Sequence, residues 1–220
     1  RPTTLDISKD LDKVGAEYNA YTGKDRTGYY IKADKKHTEL ALNILSDMLH
    51  HSKFDSAEIE RERNVIIEEI NMYEDNPMMH IEDIYEELMY AGHPLGRNIA
   101  GPRDNIRRVT REEMIAYRDR YYIPHNTIIA VAGNIPSDVL PLLEKYFGER
   151  ERSDAQVPAS EPFSWSDNAI GSPVRIFEKK TEQVQLALGF PSYEFNDPRI
   201  EALTLLSVIL GGNMSSRLFV

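Results

Sequence analysis

Residues 58–71 read Glu-Ile-Glu-Arg-Glu-Arg-Asn-Val-Ile-Ile-Glu-Glu-Ile-Asn and predict an amphipathic helix. At about 100° per residue, one side of this helix carries the apolar side chains that should pack. These are Ile59, Ile66, Ile70 and Tyr73. Glu62 and Glu69 are seven residues apart, so they point almost the same way, beside the apolar stripe.

This carboxylate pair is the strongest chemical feature of the sequence. A buried carboxylate without a partner is strongly unfavourable, so Glu62 and Glu69 would need a metal ion, an arginine or a shared proton. The alternative is that both lie at the rim of the stripe, solvated or paired with Arg63. Periodicity alone leaves the two interpretations open.

Composition excludes several classes of protein. The net charge of −10 argues against a nucleic-acid-binding surface. There is no apolar run of about 18 residues and no signal-peptide pattern, so we expect no membrane span and a cytoplasmic location. The absence of cysteine excludes disulfides, thiolate nucleophiles and cysteine–zinc sites, but it does not identify a compartment.

The two ends suggest part of a longer polypeptide. The sequence opens on Arg1 without an initiator Met, and it stops at Val220 within a segment that reads as structured. We therefore expect a fragment.

The spacing of apolar residues, caps and turns predicts an α+β fold in which helices pack on one face of a mostly antiparallel sheet. The predicted helices cover residues 4–14, 36–50, 56–76, 78–90, 110–122, 137–147 and 198–210. The predicted strands cover residues 17–22, 28–33, 127–132 (a buried strand), 174–177 and 183–190.

The order of these elements predicts two similar halves. Residues 151–171 are rich in Ser, Pro, Asp and Ala and are typical of a linker. This linker separates a first half, 1–150, from residues 172–220. In residues 172–220 the predicted order of strand, strand and helix repeats the order that begins at residue 17. We predict an internal duplication in which both halves are truncated, the first at its start.

An ordered set of short motifs gives the chain its family resemblance. The motifs are Gly15-Ala16-Glu17-Tyr18-Asn19-Ala20-Tyr21-Thr22, Glu60-Arg61-Glu62-Arg63-Asn64-Val65-Ile66 with Glu69, His93-Pro94-Leu95-Gly96-Arg97, Gly101-Pro102, Tyr121-Tyr122, Gly189-Phe190-Pro191 and Gly211-Gly212-Asn213-Met214-Ser215-Ser216-Arg217-Leu218-Phe219. With these motifs the chain resembles the pitrilysin/insulinase family of zinc peptidases. It is most similar to compact bacterial members and to the β subunit of the mitochondrial processing peptidase.

The resemblance implies roles for individual residues. Glu69 matches a zinc ligand, and Glu62 matches an acidic residue that supports the site and its protons. Asn19, Ala20 and Tyr21 match the edge strand to which a peptide substrate adds as an extra strand. Asn19 would also hydrogen-bond the substrate or the attacking water, although its residue type alone favours a turn at the end of a strand.

The chain departs from the family pattern in one large respect. These inverzincins carry a helical His-x-x-Glu-His that supplies two zinc ligands and a general base, and the 220 residues contain no such motif. The resemblance places it upstream of Arg1, with further Arg and Tyr residues beyond Val220. We expect Glu69 to face inward toward the metal, zinc to bind the parent protein rather than this fragment, and the fragment alone to be inactive.

The histidines do not supply a substitute. Adjacent residues such as His50 and His51 point about 100° apart on a helix, which favours surface positions over metal ligation.

Three functions follow from the sequence. The first is part of a zinc metalloendopeptidase that hydrolyses peptides or unfolded proteins in a clamshell chamber by metal-activated water. The second is a non-catalytic partner or scaffold subunit of the same fold. The third is a stand-alone α+β binding domain with a coincidental Glu pair. We also expect a homodimer, or association with the missing parts of the parent, because the truncated second half should bury its helix poorly.

Overall fold

The computed structural model describes residues 3–148, 157, 162–163 and 174–220. The chain divides into two compact units, residues 1–163 and 164–220, each of which is described by itself. Most of the predicted linker, 151–171, lies outside the described residues. The organisation into two duplicated halves stays a prediction.

The first unit begins with a capped helix and a β-hairpin. Helix α1 (Thr4–Asp12) starts with a capping box, in which the Thr3 side chain accepts from the Asp6 backbone N–H and the Asp6 side chain accepts from the Thr3 backbone N–H. Strands β1 (Glu17–Thr22) and β2 (Thr27–Lys32) then pair antiparallel. The bounds of both strands agree with those predicted from the sequence to within one residue.

Six further helices complete the described part of this unit. They are α2 (Thr38–His50), α3 (Ser56–Asp75), α4 (Pro77–Met89), α5 (Arg103–Arg108), α6 (Arg111–Tyr121) and α7 (Val139–Phe147). Short 3₁₀ helices occupy Lys35–His37, Pro94–Gly96 and Pro124–Asn126. The break between α3 and α4 has a local cause: Asn76 caps α4, and the ring of Pro77 is compatible only with the first turn of a helix.

The helices pack on the hairpin and on one another. Helix α1 packs on β1, α2 packs on β2 and α7, and α3 packs on α4 and α5. The buried apolar side chains are Leu11, Leu42, Ile44, Ile70 and Ile123. The α+β class predicted from the sequence is confirmed, with a sheet that has two strands among the described residues.

Three predicted strands are wrong. Residues 127–132 form no strand, and Ile128 is 94% exposed rather than buried. Residues 174–177 and 183–190 are not strands either in the described part of the chain. A strand exists only when its backbone N–H and C=O groups meet a neighbouring strand, and no such neighbour lies beside these segments in the described residues.

The second unit contains helix α8 (Ile200–Gly211), which ends at Gly212 as the sequence predicts. Most of its apolar side chains are exposed, as are those of the preceding segment. Among them are Val184, Leu186, Leu188, Phe190, Leu205 and Ile209. Within residues 174–220, helix α8 is therefore not surrounded by an apolar core.

Candidate active site

Helix α3 carries both carboxylates that the sequence singles out. Asp55 begins the helix by accepting hydrogen bonds from the backbone N–H groups of Ala57 and Glu58. Glu62 and Glu69 are one heptad apart, so they lie about 10 Å apart along the helix axis. Ile70 is the residue that α3 buries, and the two Glu side chains lie about 80–100° around the helix from it.

Both carboxylates are exposed. The expectation that Glu69 faces inward is therefore wrong for this structure, because the helix turns Ile70 to the core and leaves the adjacent position at the surface. Within residues 3–148 neither the Glu62 nor the Glu69 side chain has a hydrogen bond or an ion pair. The alternative pairing with Arg63 is not formed either, since Arg63 Nε lies 2.9 Å from Glu60 Oε1.

Two arginines fix α3 against α5. Arg63 donates to the backbone carbonyls of Ile106 and Val109, at the C-terminal end of α5 where helix carbonyls lack partners. Both terminal nitrogens of Arg103 donate hydrogen bonds to the Glu74 carboxylate, at 2.6 and 2.7 Å. This hydrogen bonding raises the pKa of Arg103. The helix that bears Glu62 and Glu69 is thus held to α5 at two points, Arg63 and the last turn that contains Asn71 and Glu74.

The hairpin carries the predicted substrate-binding residues. In its register Asn19 pairs with Tyr30, Ala20 with Tyr29 and Tyr21 with Gly28. Every residue of β1 is exposed. Asn19 is the third of six residues in the strand, so the interpretation as a turn residue at a strand end is wrong.

The alternation of hydrogen-bonded and non-hydrogen-bonded residue pairs in the hairpin shows which backbone groups of β1 face its free edge. The backbone N–H of Gly23 donates to the carbonyl of Arg26 at 2.7 Å, which makes this a hydrogen-bonded pair. Because such pairs alternate along an antiparallel ladder, Tyr21 and Asn19 also point their backbone groups at β2. Ala20 therefore points its N–H and C=O outward, to an edge that has no partner strand in the described residues.

Two local contacts shape this edge. The side-chain oxygen of Asn19 accepts a hydrogen bond from the Ala20 backbone N–H at 2.8 Å. The ring of Tyr21 lies directly on the Cα of Gly28, where any Cβ would collide with it. Glycine at position 28 leaves room for that aromatic ring on the strand surface, and a larger residue there would have to displace the ring.

An open cavity of about 260 Å³ lies between the hairpin and the helices beneath it. Its lining is mostly apolar and aromatic, from Leu11, Tyr18, Asn19, Ala20, Tyr29, Tyr30, Ile31, Leu45 and Met48. A larger cavity of about 440 Å³, beside Lys35, Glu39 and Pro136, contains none of the predicted site residues. The structure thus places Asn19 and Ala20 at one cavity, and it does not bring Glu62 or Glu69 into it.

Sequence reasoning missed the contacts that hold the hairpin in place. Lys24, in the turn, lies 2.6 Å from Glu86 of α4 and also donates to the carbonyl of Arg97 at 2.6 Å. Tyr29 of β2 lies 3.5 Å from Tyr122, oxygen to oxygen, and burial raises the pKa of Tyr29 above its ordinary value. Only the aromatic spacing of β2 could have indicated the second contact.

A catalytic zinc ion takes three protein ligands, and no group of three His, Asp or Glu side chains that could hold an ion occurs among the described residues. Glu69 by itself does not fit zinc. In the same part of the chain, no helix has the length and apolar character needed to cross a membrane.

Comparison with known proteins defines the class. Residues 1–103 match the family described as Insulinase (Peptidase family M16), and residues 108–220 match the description Peptidase M16 inactive domain. The solved structure of an M16 inactive domain from Pseudomonas fluorescens has the same fold, with a TM-score of 0.75 at 19% identity over 97% of this chain and 52% of that one.

Two relatives carry peptidase names. An uncharacterized zinc protease of Bacillus subtilis is 36% identical over 214 residues, which is 97% of this chain and 51% of that protein. The "Probable mitochondrial-processing peptidase subunit beta" of Schizosaccharomyces pombe is 32% identical over 209 residues, or 93% and 45%. The chain belongs to the M16 peptidase family, as the sequence motifs predict. It spans about half the length of the curated relatives it matches.

Proposed function

We propose that this chain forms part of a zinc-dependent metalloendopeptidase that hydrolyses peptides or small proteins. The observation that supports it is the family match along the chain, together with 36% identity to a protein named as a zinc protease. In this proposal the parent protein cleaves peptide bonds with metal-activated water inside a clamshell chamber. The described residues do not complete a zinc site, so their own part is limited to one ligand and a peptide-binding edge.

Glu69 is the proposed zinc ligand, and Glu62 the acidic residue that supports the site. Both belong to α3, which Arg63 and Arg103 hold to α5, and both side chains are exposed and without a partner in the described part of the first unit. An exposed, unpaired carboxylate on a rigid helix keeps its lone pairs free for ligands that the rest of the protein supplies.

Strand β1 is the proposed substrate site. The outward C=O of Ala20, and its N–H once Asn19 Oδ1 releases it, would form one end of a ladder that an extended peptide would continue, flanked by Asn19 and Tyr21. The cavity under the hairpin offers an apolar surface for alternate side chains of such a peptide. Main-chain hydrogen bonds of this kind bind many sequences, which suits an enzyme that acts on peptides or unfolded proteins.

The experiment compares Glu69→Gln with Glu68→Gln in the complete protein from its native source. We expect Glu69→Gln to abolish cleavage of a quenched fluorescent peptide and to lower the bound zinc. Glu68→Gln is the matched control, because its carboxylate is exposed on the same helix, and it should retain both. Glu62→Gln should lower cleavage while zinc stays bound. Equal zinc content and activity in all variants would refute the proposal.

A second test concerns the 220 residues alone, which we expect to be inactive at stoichiometric zinc. Turnover of the same peptide by this chain would contradict the assignment of the remaining ligands to other parts of the protein.

A non-catalytic partner or scaffold subunit of the same fold is the second candidate. It is favoured by the match of residues 108–220 to the M16 inactive domain. It predicts that the complete protein holds no stoichiometric zinc and that Glu69→Gln changes neither activity nor metal content.

A further inference from the structure

Among the described residues, the side chain that anchors the hairpin at its turn is that of Lys24. The amino group of Lys24 lies 2.6 Å from Glu86 Oε2 on α4 and 2.6 Å from the backbone carbonyl of Arg97. The Lys24 side chain is 21% exposed, whereas that of Lys13, another lysine of this unit, is 72% exposed. A charged group held by two oxygens and partly removed from water is worth more than an open surface ion pair.

The carbonyl that Lys24 contacts is itself held in place. Asn98 follows Arg97, and its amide donates to Asp83 Oδ2 of α4 at 2.8 Å while its oxygen accepts from the Ala100 N–H. Burial raises the pKa of Asp83, and the nearby positive charge of Lys24 opposes that rise. Both oxygens that Lys24 contacts therefore belong to a rigid part of the unit, helix α4 and the loop bound to it.

Lys24 lies at the turn, so its contacts fix one end of β1. Six residues at about 3.3 Å each give the hairpin a length of about 20 Å. Helix α1 leads directly into the other end of β1, so Lys24 fixes the end that is farther from α1. Helix α4 in turn packs on α3, the helix that carries Glu62 and Glu69.

We infer that Lys24 is a positioning residue, which sets the direction of the peptide-binding edge of β1 relative to the α3–α4 helix pair. This inference rests on the proposed function, in which β1 receives the substrate and α3 carries the metal ligand. Without the anchor, the turn end of the hairpin is free to swing, and a peptide added to β1 no longer has one fixed path past α3.

The test uses the 220-residue chain, which contains no cysteine, so two introduced cysteines take spin labels without background. Labels at Arg26→Cys and Glu82→Cys report the distance between the exposed hairpin turn and the exposed side of α4 by pulsed electron resonance. Affinity for a fluorescein-labelled peptide of alternating Thr and Val, with Arg at each end, reports the binding edge. The urea midpoint reports global stability.

We expect Lys24→Met to replace the single narrow distance by a broad distribution and to weaken peptide binding by about three- to tenfold, the effect of losing one partly exposed charge-assisted contact. Lys24→Arg should keep both properties, and Lys13→Met is the control that should change neither. If Lys24→Met fails to fold, Glu86→Gln carries the test, since it removes one of the two contacts and leaves the carbonyl of Arg97.

An unchanged distance distribution in Lys24→Met would overturn the inference. So would a broadened distribution with unchanged peptide affinity, because the lysine would then anchor the turn without positioning the edge. A third outcome is that peptide affinity falls in proportion to the urea midpoint in both Lys24→Met and Lys24→Arg. Lys24 would then contribute to stability and not to positioning. Failure of the unsubstituted chain to bind the peptide is distinct from these results, and it would overturn the proposed edge-binding function together with the inference.

Discussion

The side-chain oxygen of Asn19 accepts a hydrogen bond from the backbone N–H of Ala20, at 2.8 Å. That N–H points to the free edge of β1, where a substrate strand is proposed to pair. Asn19 therefore occupies, within its own strand, a donor that an incoming peptide would need. Edge strands with unpaired backbone groups invite unwanted pairing, and this local hydrogen bond reduces that exposure.

Removing the Asn19 side-chain oxygen should change the hydrogen-exchange rate of the Ala20 amide and of no other amide in the hairpin. We expect Asn19→Ala to accelerate hydrogen exchange of the Ala20 N–H, measured by NMR, while the amides of β2 keep their protection. Asn19→Asp keeps an oxygen at the same place and should keep the protection. Equal exchange rates in all three proteins would contradict the hydrogen bond seen here.

The difference between predicted and observed burial can be tested with two isoleucines. Ile44 of α2 is fully buried, so Ile44→Ala should lower the free energy of unfolding by about 2–4 kcal/mol. Ile128 is 94% exposed, so Ile128→Ala should change it by less than about 0.5 kcal/mol. Urea unfolding monitored by circular dichroism measures both. A large decrease in the free energy of unfolding of Ile128→Ala would instead support the buried strand predicted from the sequence.

The attachment of α3 to α5 should depend on Arg103. Arg103→Met removes three hydrogen bonds to Glu74 and Asn71, and we expect it to lower the urea midpoint. Arg107 lies on the same short helix, and its ion pair within the described residues is with the neighbouring Asp104, at 3.4 Å, with both side chains well exposed. Arg107→Met should therefore leave the midpoint unchanged, and equal effects of the two substitutions would argue against the anchoring role.

The pH dependence of the second unit should reflect Asp197. Hydrogen bonds from the side chain and backbone of Arg199 lower the pKa of Asp197 from 3.8 to about 2. Because the pKa of the folded state lies below that of the unfolded state, this pair stabilises the fold above pH 3.8, and the contribution is lost as the pH falls toward 2.

A carbon-detected NMR titration of the Asp197 carboxyl should give a midpoint of about 2. Arg199→Gln should raise this midpoint toward 3.8, whereas Arg217→Gln should not. A midpoint near the ordinary value in the unsubstituted protein would show that the pair does not form in solution.

The exposed apolar segment of the second unit should make the chain self-associate. Val184, Leu186, Leu188 and Phe190 are each about 80% exposed or more, and their spacing of two places them on one side of an extended segment. We expect light scattering to show a mean mass that rises with concentration, and Leu186→Glu to reduce it more than Gln185→Glu. A monodisperse monomer at all concentrations would contradict this expectation.

Much of the fold followed from local signals in the sequence. The capping box of Thr110 and Glu113 marks the start of α6, and the hydrogen bonds from Thr110 lower the pKa of Glu113 as such a box requires. Pro77 marks the break between α3 and α4. Helices and tight turns are set by residues within a few positions of one another, so the printed order of residues is enough to find them.

Strands and site geometry needed the tertiary structure. Residues 127–132 have the β-branched composition of a strand, yet a strand depends on a partner that local sequence does not supply. Periodicity likewise put Glu62 and Glu69 on the same side of α3 but could not say whether that side was covered, and both are exposed.

The sequence by itself determined the family, the helices other than α5 and the identity of the residues proposed to act, because motifs and periodicity are properties of chain order. Only the tertiary structure decided that Ala20 offers its backbone to a free edge, that Lys24 fixes the hairpin to α4 and that α3 turns Ile70, not Glu69, inward. These contacts join residues far apart along the chain, and their formation depends on which surfaces the folded chain brings together.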